Sequence, residues 1–389
     1  MCREDICTFR NGLAELTPYI PGKPVEEVRR ELGLTGRIAR LASNENPIGP
    51  SPKAVARMKK VLEEINLYPD GGCWDLRETL AGKHSLTPGH LIIGNGVDNL
   101  IPLVVNTFVN SGDEVIIPSP SFAAYRTSTV VAGGIPVEAP LKDFCIDTEY
   151  IYNAVGPKTK MIFLCSPNNP TGTIVHEEDL DRLVGSLPPK VLVVMDEAYY
   201  EYVEDRRYPD SLKRLREGGN IIVFRTFSKI FGLAGLRLGY GMTRPEYVTE
   251  MEKIREPFAA NRVVQAGALE ALADSEHLNL VKDVHKKGKQ VICDGLADLD
   301  ISFVPTEANF IFADLGVDMK YLFPELLKRG VIIRPGSLWG YRTFARITIG
   351  TPDENEFFLE QLAEILKLFP SYSDYSLEGE GTTTEPCKN

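Results

Sequence analysis

The sequence lacks several features that would assign it to a common class of protein. Its seven cysteines are scattered and form no C-x-x-C pair, so neither a zinc site nor a disulfide framework is indicated. The five histidines are dispersed as well. No segment is apolar for long enough to cross a bilayer, and because the N-terminus carries Glu4 and Asp5 we expect no signal peptide. We therefore expect a cytoplasmic protein without a metal site.

The chain also lacks an excess of positive charge. It has 43 Lys and Arg against 54 Asp and Glu, which gives a formal net charge of −11 at pH 7. This balance argues against nucleic acid or an anionic membrane as the main partner. Any site that binds an anionic small molecule must therefore be a local pocket of positive charge.

The pattern of apolar residues predicts an α/β protein. Its 389 residues are enough for two domains. From residue 75, helical patterns alternate with short apolar runs that are typical of buried strands: 91–93, 114–117, 161–165, 191–195, 221–224 and 236–240. This alternation predicts a large domain with a mainly parallel, doubly wound sheet. Ligands of such sheets bind beyond the carboxyl ends of the strands.

The pattern changes after Pro257. One long helical region over 263–296 precedes short strands and helices, which indicates a smaller α+β domain. We predict an N-terminal segment over 1–46 that joins the small domain, a large cofactor-binding domain over 47–256 and a small C-terminal domain over 257–370. The tail over 371–389 is rich in Ser, Thr, Glu and Gly, and we expect it to be disordered.

The segment 221–237 combines the groups that a phosphorylated aldehyde would need. An apolar strand is followed by Thr226, Ser228 and Lys229, and then by two glycines and Arg237. Apolar neighbours disfavour the ammonium form of the lysine and leave a nucleophilic amine that can form a Schiff base. The hydroxyls and the arginine can donate to a phosphate. Together they suggest pyridoxal phosphate, and the alternative is a strand end with a surface lysine.

Other loops that follow strands carry weaker signals. The segment 94–98 opens a helix, and its free amides near Val97 and Asp98, after Gly96, could hold a phosphate. A tight turn is the alternative there, because the third glycine of a dinucleotide fingerprint is missing. Phe122 follows another strand and could stack on a flat heterocycle, although a lone aromatic is more often part of the core.

Two further loops carry amides and carboxylates. In 166–172, two prolines and a glycine fix a loop in which the amide of Asn169 can donate to an oxygen anion. The strand 191–195 runs directly into Asp196, a carboxylate that needs a cationic partner, and a pyridinium N–H would be one. Tyr199 could reach the same ligand. A helix-capping aspartate and a core tyrosine are the alternative.

With Asn169, Asp196, Lys229 and Arg237 in this order, the chain resembles the fold-type I pyridoxal-phosphate aminotransferases. The resemblance runs from Leu16 to about residue 368. Within that group the chain is most similar to the histidinol-phosphate aminotransferases. The stretches that carry the resemblance are 16–19, 44–47, 166–172, 196–199, 226–237 and 346–351.

The resemblance implies a role for each polar residue of these motifs. Lys229 would bond to the cofactor, pyridoxal 5'-phosphate, and then move the substrate proton. Asp196 would pair with the pyridine nitrogen, whereas Asn169 and Tyr199 would bond the phenolate oxygen. Phe122 would stack on the ring, at a position where many relatives have tyrosine. The phosphate would be held by Gly96, Val97, Asp98, Thr226, Ser228 and Arg237.

The resemblance also implies partners and substrates. Tyr68 matches a tyrosine that reaches the phosphate of the neighbouring subunit, which implies a homodimer with shared active sites. Arg346 matches the arginine that binds a carboxylate through two hydrogen bonds. Arg334 and Tyr19 match residues that help to bind histidinol phosphate, with an ion pair near the domain edge as the alternative for Arg334. The implied reaction converts L-histidinol phosphate and 2-oxoglutarate into imidazole acetol phosphate and L-glutamate, a step of histidine biosynthesis.

The residues leave other activities open. An aromatic amino-acid aminotransferase would use the same pocket for flat side chains. A phosphothreonine-type decarboxylase of the same fold would break a different bond at the substrate Cα. A regulatory protein that only senses a ligand usually carries a DNA-binding domain, which this acidic chain does not indicate. A nicotinamide dehydrogenase is disfavoured by the incomplete glycine fingerprint.

Overall fold

The computed structural model describes residues 9–10, 12–18 and 20–369. The predicted tail over 371–389 and Tyr19 therefore lie outside the described residues. The strands are β1 (Ala39–Arg40), β2 (Leu91–Gly94), β3 (Glu114–Ser119), β4 (Ile135–Pro140), β5 (Thr159–Cys165), β6 (Leu192–Asp196), β7 (Ile221–Thr226), β8 (Gly239–Met242), β9 (Phe303–Val304), β10 (Phe310–Asp314), β11 (Val331–Ile332), β12 (Arg334–Pro335) and β13 (Phe344–Thr348).

The α-helices are α1 (Val25–Leu32), α2 (Pro52–Val61), α3 (Trp74–His84), α4 (Val97–Phe108), α5 (Ala123–Ala132), α6 (Thr148–Ala154), α7 (Glu177–Ser186), α8 (Ser211–Arg216), α9 (Pro245–Glu252), α10 (Arg262–Ala273), α11 (Ser275–Asp298), α12 (Met319–Lys328) and α13 (Pro352–Leu366). Within the described ranges, none of the helices combines the length and the apolarity needed to span a membrane.

A seven-stranded sheet forms the centre of the larger part of the fold. Its strand order is β2-β8-β7-β6-β5-β3-β4, with parallel pairing from β7 through β4 and antiparallel pairing of β8 with both neighbours. Alternate residues of β6 pack into two different cores: Val193 and Met195 into one, Leu192 and Val194 into the other. Helices cover both faces, which is why the central strands are continuous apolar runs. The predicted mainly parallel, doubly wound α/β sheet is confirmed.

A four-stranded antiparallel sheet with the order β12-β13-β10-β9 forms the smaller part. Beside it, β1 pairs in parallel with β11, so that the N-terminal segment is joined to the C-terminal part of the chain. Side chains of α11, α12 and α13, such as Ile292, Leu322 and Phe358, share a core with β10 and β13.

Two element predictions are wrong. The single helical region over 263–296 is divided into α10 and α11 at Asp274, whose backbone leaves the helical conformation. The Asp274 carboxylate accepts hydrogen bonds from Ser51 (2.5 Å) and Lys53 (2.8 Å), so a contact distant in sequence fixes the break. The strand expected over 236–240 begins only at Gly239, because Arg237 adopts a left-handed conformation with φ of 59°.

Candidate active site

The carboxyl ends of the central strands meet at one edge of the larger sheet. Cys165 at the end of β5 is the register partner of Asp196 at the end of β6, and β7 ends beside them at Thr226. A cavity of about 610 Å³ lies at this edge. Most of the predicted site residues line it: Val97, Asp98, Phe122, Asn169, Asp196, Tyr199, Thr226, Ser228, Lys229, Arg237 and Arg346.

Lys229 reaches this cavity from the loop that follows β7. Its neighbours Phe227 and Ile230 are fully buried and hold the loop in the core. The ammonium donates to the carbonyl oxygen of Ser43 at 3.3 Å and lies 5.5 Å from the ring centroid of Tyr199. Burial lowers the pKa of Lys229 to about 8, and the nearby positive charge of Arg346 adds to this effect. An appreciable fraction of the amine is therefore neutral, and nucleophilic, just above neutral pH.

Asp196 is a buried carboxylate at the bottom of the cavity, 3% exposed. Its Oδ2 accepts from the hydroxyl of Tyr125 at 2.7 Å, and its Oδ1 accepts from the backbone N–H of Ala198 at 3.2 Å. Burial raises the pKa of Asp196 to about 6, and these two donors limit the rise. The group is mostly ionised at neutral pH. Because both donors are neutral, they leave the negative charge of the Asp196 carboxylate uncompensated, and a cationic N–H of a ligand could pair with it.

Donors for an anion surround the N-terminus of α4. The guanidinium of Arg237 pairs with Asp98 (Nη2–Oδ2 2.7 Å) and donates to Ser228 Oγ at 3.3 Å. Gly96 precedes α4 with φ of 80°, and a Cβ there would lie 2.6 Å from Arg237 Nη2. Only glycine therefore lets the arginine approach the free amides of the helix. Thr226 Oγ1 accepts from the N–H of Ser228 at 3.0 Å and shapes the loop beside them.

The smaller sheet supplies Arg346, which enters the cavity from β13. Its guanidinium donates to Asn169 Oδ1 at 2.6 Å and to the carbonyl oxygen of Ala42 at 2.7 Å. The rings of Phe310 and Trp339 each have their centroid 5.4 Å from its Cζ. These contacts hold one positive charge at a fixed place between the two sheets, where it can bind an anionic group of a ligand.

Three of the predicted residues are not part of the cavity lining. Arg334 is buried on β12, directly opposite Arg346 in the antiparallel register, and donates to the carbonyl oxygen of Ile20. Tyr68 is 77% exposed and stacks on Phe258 at a centroid distance of 4.6 Å. Gly96 borders the cavity through its contact with Arg237. The substrate and subunit roles assigned to Arg334 and Tyr68 stay predictions.

The chain matches the model of the family "Aminotransferase class I and II" over residues 37–362. The chain belongs to this aminotransferase family. Its matched region begins just before β1 and ends within α13, so it includes both sheets and every residue named above as lining the cavity.

Two curated relatives of this aminotransferase are histidinol-phosphate aminotransferases. The chain is 46% identical over 358 residues to a histidinol-phosphate aminotransferase of Moorella thermoacetica, with 92% of each chain covered. It is 41% identical to a histidinol-phosphate aminotransferase of Caldicellulosiruptor saccharolyticus, covering 92% of this chain and 100% of that one.

Solved structures share the fold of this aminotransferase. The histidinol-phosphate aminotransferase of Sinorhizobium meliloti in complex with pyridoxal-5'-phosphate superposes with a TM-score of 0.85 at 28% identity, covering 94% of this chain and 100% of that one. An aspartate aminotransferase of Thermus thermophilus gives a TM-score of 0.80 at 22% identity, covering 92% of this chain and 100% of that one, and shows the fold alone.

Sequence reasoning missed two residues that hold the predicted ones in this aminotransferase. Tyr125 is fully buried, donates to Asp196 and stacks on Phe163 at 4.4 Å. Its position three residues after Phe122 was the available signal, since that spacing places both rings on neighbouring turns of one helix end. Asn44 contacts Tyr199, and the sequence contained no signal for that partner beyond the motif 44–47.

Proposed function

We propose that this aminotransferase uses pyridoxal 5'-phosphate to transfer the amino group of L-histidinol phosphate to 2-oxoglutarate, giving imidazole acetol phosphate and L-glutamate. One observation carries the proposal: a single cavity contains the amine of the half-buried Lys229, the buried carboxylate of Asp196 and the fixed positive charge of Arg346. The names of the relatives at 41–46% identity support the substrate.

The residues fit this cofactor. Lys229 offers an amine with a pKa of about 8 for the aldehyde carbon. Asp196 offers a charge for the protonated ring nitrogen, and Phe122 offers a ring face at the cavity wall. The donors for its phosphate are Thr226, Ser228, Arg237 and the amides of Val97 and Asp98, next to Gly96. Tyr199 and Asn169 would bond its ring oxygen. When bound, the cofactor supplies an electron sink for the carbanion at the substrate Cα.

The side chains then have defined tasks. Lys229 would hold the cofactor, and its free amine would take the proton from the substrate Cα as a general base. Its lowered pKa makes it a competent base at mildly alkaline pH. Asp196 would keep the ring nitrogen protonated, because the ionised form of this buried carboxylate stabilises a cation beside it. Tyr199 and Arg346 orient the two ligands with respect to Lys229.

Arg346 would serve both halves of the reaction. 2-Oxoglutarate presents a carboxylate, whereas histidinol phosphate presents a phosphate and no carboxylate, and a guanidinium can bind either group through two hydrogen bonds. Arg334 lies directly opposite on β12 and adds positive charge to the same region of the smaller sheet. We propose that Arg334 and Tyr19 assist at the phosphate, as the resemblance implies.

A single-turnover absorbance experiment tests the proposed function. The purified protein loaded with pyridoxal phosphate is mixed with histidinol phosphate, and separately with phenylalanine, in the absence of a keto acid. We expect rapid conversion to the pyridoxamine spectrum with histidinol phosphate. Faster conversion by phenylalanine would instead favour an aromatic amino-acid aminotransferase, and release of CO₂ from a phosphorylated amino acid would favour a decarboxylase.

The domain division and the location also stay predictions. We propose the division into 1–46, 47–256, 257–370 and the tail. Helix α10 lies in the third of these ranges but contributes Val264 and Ala268 to the core of the larger sheet, so it anchors the smaller domain to the larger. Cell fractionation would test the cytoplasmic location.

We propose that the enzyme is a homodimer in which Tyr68 reaches the phosphate of the partner subunit. The ring of Tyr68 stacks on the exposed Phe258, and the exposed Leu62, Ile65 and Leu67 lie close to it in the chain; we call this group the apolar patch. The patch borders the phosphate donors, because Arg262 donates to the carbonyl oxygen of Tyr68 and the adjacent Asn261 donates to that of Leu236, next to Arg237. A large exposed apolar patch is typical of an interface.

Replacing Tyr68 with phenylalanine should weaken the binding of pyridoxal phosphate about tenfold, through loss of one hydrogen bond to a charged group. Sedimentation should still show a dimer, because the apolar ring remains. The exposed Tyr152 provides a matched control, and Tyr152→Phe should change neither quantity. A monomeric wild-type protein would contradict the proposed dimer. A Tyr68→Phe variant that binds the cofactor as tightly as the wild type would contradict the proposed contact with the phosphate.

Replacing Tyr125 with phenylalanine should move the acidic limit of cofactor binding to higher pH. Tyr125 is one of two donors that keep the pKa of Asp196 near 6, so its loss raises that pKa further. The affinity of the apoenzyme for pyridoxal phosphate should then fall at a pH about 1 higher than in the wild type. Tyr208→Phe is the control, since that hydroxyl donates to the carbonyl oxygen of Ser166 at 2.5 Å. Identical pH profiles for all three proteins would refute the role of Tyr125.

A further inference from the structure

We propose that the three consecutive residues Ala42, Ser43 and Asn44 form a positioning segment. This segment holds the substrate-binding arginine, the reactive lysine and the cofactor-contacting tyrosine at fixed positions relative to one another. Within it, Asn44 is the positioning residue for Tyr199. This inference rests on the roles proposed above for Arg346, Lys229 and Tyr199.

Each residue of the positioning segment contacts a different functional side chain. The carbonyl oxygen of Ala42 accepts from Arg346 at 2.7 Å. The carbonyl oxygen of Ser43 accepts from the ammonium of Lys229 at 3.3 Å. The side-chain amide of Asn44 donates to the hydroxyl of Tyr199 at 3.0 Å. A displacement of this short stretch of backbone would therefore alter all three contacts at once.

Every polar group of Asn44 forms a hydrogen bond, and together these bonds fix the residue. Its backbone N–H donates to Thr348 Oγ1 at 2.9 Å, and its Oδ1 accepts from the same hydroxyl at 3.2 Å. Its carbonyl oxygen accepts from the amide of Asn309 at 3.0 Å, and its Nδ2 donates to Tyr199. The residue is 1% exposed and has φ of 54°, a left-handed conformation that residues other than glycine rarely adopt. Such strain persists where the surroundings fix it.

The bond to Tyr199 also sets the direction of the tyrosine hydroxyl. Because Asn44 Nδ2 is a donor, the tyrosine oxygen must accept there, and its own hydrogen is left to point elsewhere. Tyr199 and Asn44 both line the cavity. Asn44 thereby favours the hydroxyl orientation that donates to the ring oxygen of the cofactor.

The positioning segment also joins the two sheets. It leaves β1, which pairs with β11 of the smaller part, and leads to α2, which packs with α10 against the larger part. Thr348, the partner of Asn44, is two residues beyond Arg346 on β13, so both side chains lie on one face of the same strand. The strand that carries Arg346 is thus linked to the hydroxyl of Tyr199 through Thr348 and Asn44.

Two substitutions of Asn44 distinguish the effect of its side-chain amide from the effect of its left-handed backbone conformation. Asn44→Gly removes the donor to Tyr199 and tolerates the positive φ, whereas Asn44→Ala removes the donor and adds strain. Both variants should raise the pKa seen in the absorbance titration of the lysine-bound cofactor, because a less oriented Tyr199 stabilises the anionic ring oxygen less well. The expected rise is about 0.5 to 1. The melting temperature of the apoprotein should fall mainly in Asn44→Ala.

A double variant tests whether Asn44 acts through Tyr199. Asn44→Gly combined with Tyr199→Phe should titrate like Tyr199→Phe alone. Asn355→Ala is the matched control, because Asn355 is also a fully buried asparagine whose amide donates to backbone carbonyls. It should lower the melting temperature and leave the titration unchanged. A wild-type titration curve in Asn44→Gly would overturn the proposal, and so would a full additional change in the double variant.

The two levels of inference fail in different ways. If the wild-type protein shows no lysine-bound cofactor absorbance after addition of pyridoxal phosphate, the proposed function itself is wrong. If the wild type shows the absorbance and Asn44→Gly titrates like the wild type, only the positioning segment is refuted. We expect Asn44→Gly to lower kcat about fivefold and to raise KM less, since the substrate arginine keeps its own contacts.

Discussion

Replacing Lys229 with alanine is expected to abolish turnover, with kcat reduced by at least about 10³-fold, while the protein stays folded. The amine is the proposed attachment point of the cofactor and the proposed general base, and among the described residues no other lysine lines the cavity. The absorbance of the lysine-bound cofactor should disappear, whereas the far-ultraviolet circular dichroism spectrum should match that of the wild type. Lys282→Ala, at an exposed lysine of α11, is the control and should leave activity intact. Retention of the lysine-bound absorbance in Lys229→Ala would exclude the assigned role.

The same lysine should make the stability of the apoprotein depend on pH. Its pKa is about 8 in the folded chain, below the ordinary value of 10.5, because burial disfavours the charged form. A lowered pKa gives stability that is fully present above pH 10.5 and is lost as the pH falls through 8. Lys229→Met, which keeps the volume, should therefore melt at a higher temperature than the wild-type apoprotein at pH 7. The difference should shrink toward pH 10, and a difference that stayed constant with pH would contradict this account.

Replacing Arg346 with alanine is expected to reduce kcat/KM for both half-reactions by about 10²–10³-fold. Truncation of a charged group with two hydrogen bonds to a ligand typically costs a few kcal/mol. The loss should be similar for histidinol phosphate and for glutamate, because one positive charge serves the phosphate and the carboxylate. Single-turnover rates measured separately with each donor would show it.

The Arg346 experiment has two informative comparisons. Arg346→Lys keeps the charge but loses the fork of two donors, so it should recover only part of the activity. Arg334→Ala should affect histidinol phosphate more than glutamate if the opposite strand assists at the phosphate. If Arg346→Ala lost only the half-reaction with glutamate, the phosphate of histidinol phosphate would instead be bound by Arg334 and Tyr19.

The sequence predicts the fold and the chemical centre because both depend on local patterns. Apolar runs mark the strands, and in a mainly parallel sheet the residues after them converge without any knowledge of long-range contacts. Asp196 directly follows one such run and Lys229 lies in the loop after another, and for this reason they were predicted together; both line the cavity.

The residues that hold this centre depend on contacts across the whole chain, and local patterns do not show them. Asn44 bonds to Tyr199 and Thr348, 155 and 304 positions away in the sequence. The break between α10 and α11 depends on Ser51 and Lys53, which lie near the other end of the chain. A propensity-based interpretation of 263–296 contains neither contact, so it produced one helix.

The order in which the strands are synthesised gives the enzyme a sequence of assembly. The last strand of the larger sheet, β8, ends at Met242, and by then Asp196, Lys229 and Arg237 have all been synthesised. The pairing of β1 and the addition of Arg346 come later, because β1 pairs with β11 and Arg346 lies on β13. A nascent chain therefore contains most of the residues proposed to bind the cofactor well before it contains the arginine proposed to bind a substrate. Cofactor bound at that stage would act as a folding ligand, because it would stabilise the partly synthesised chain until the remaining strands have been made.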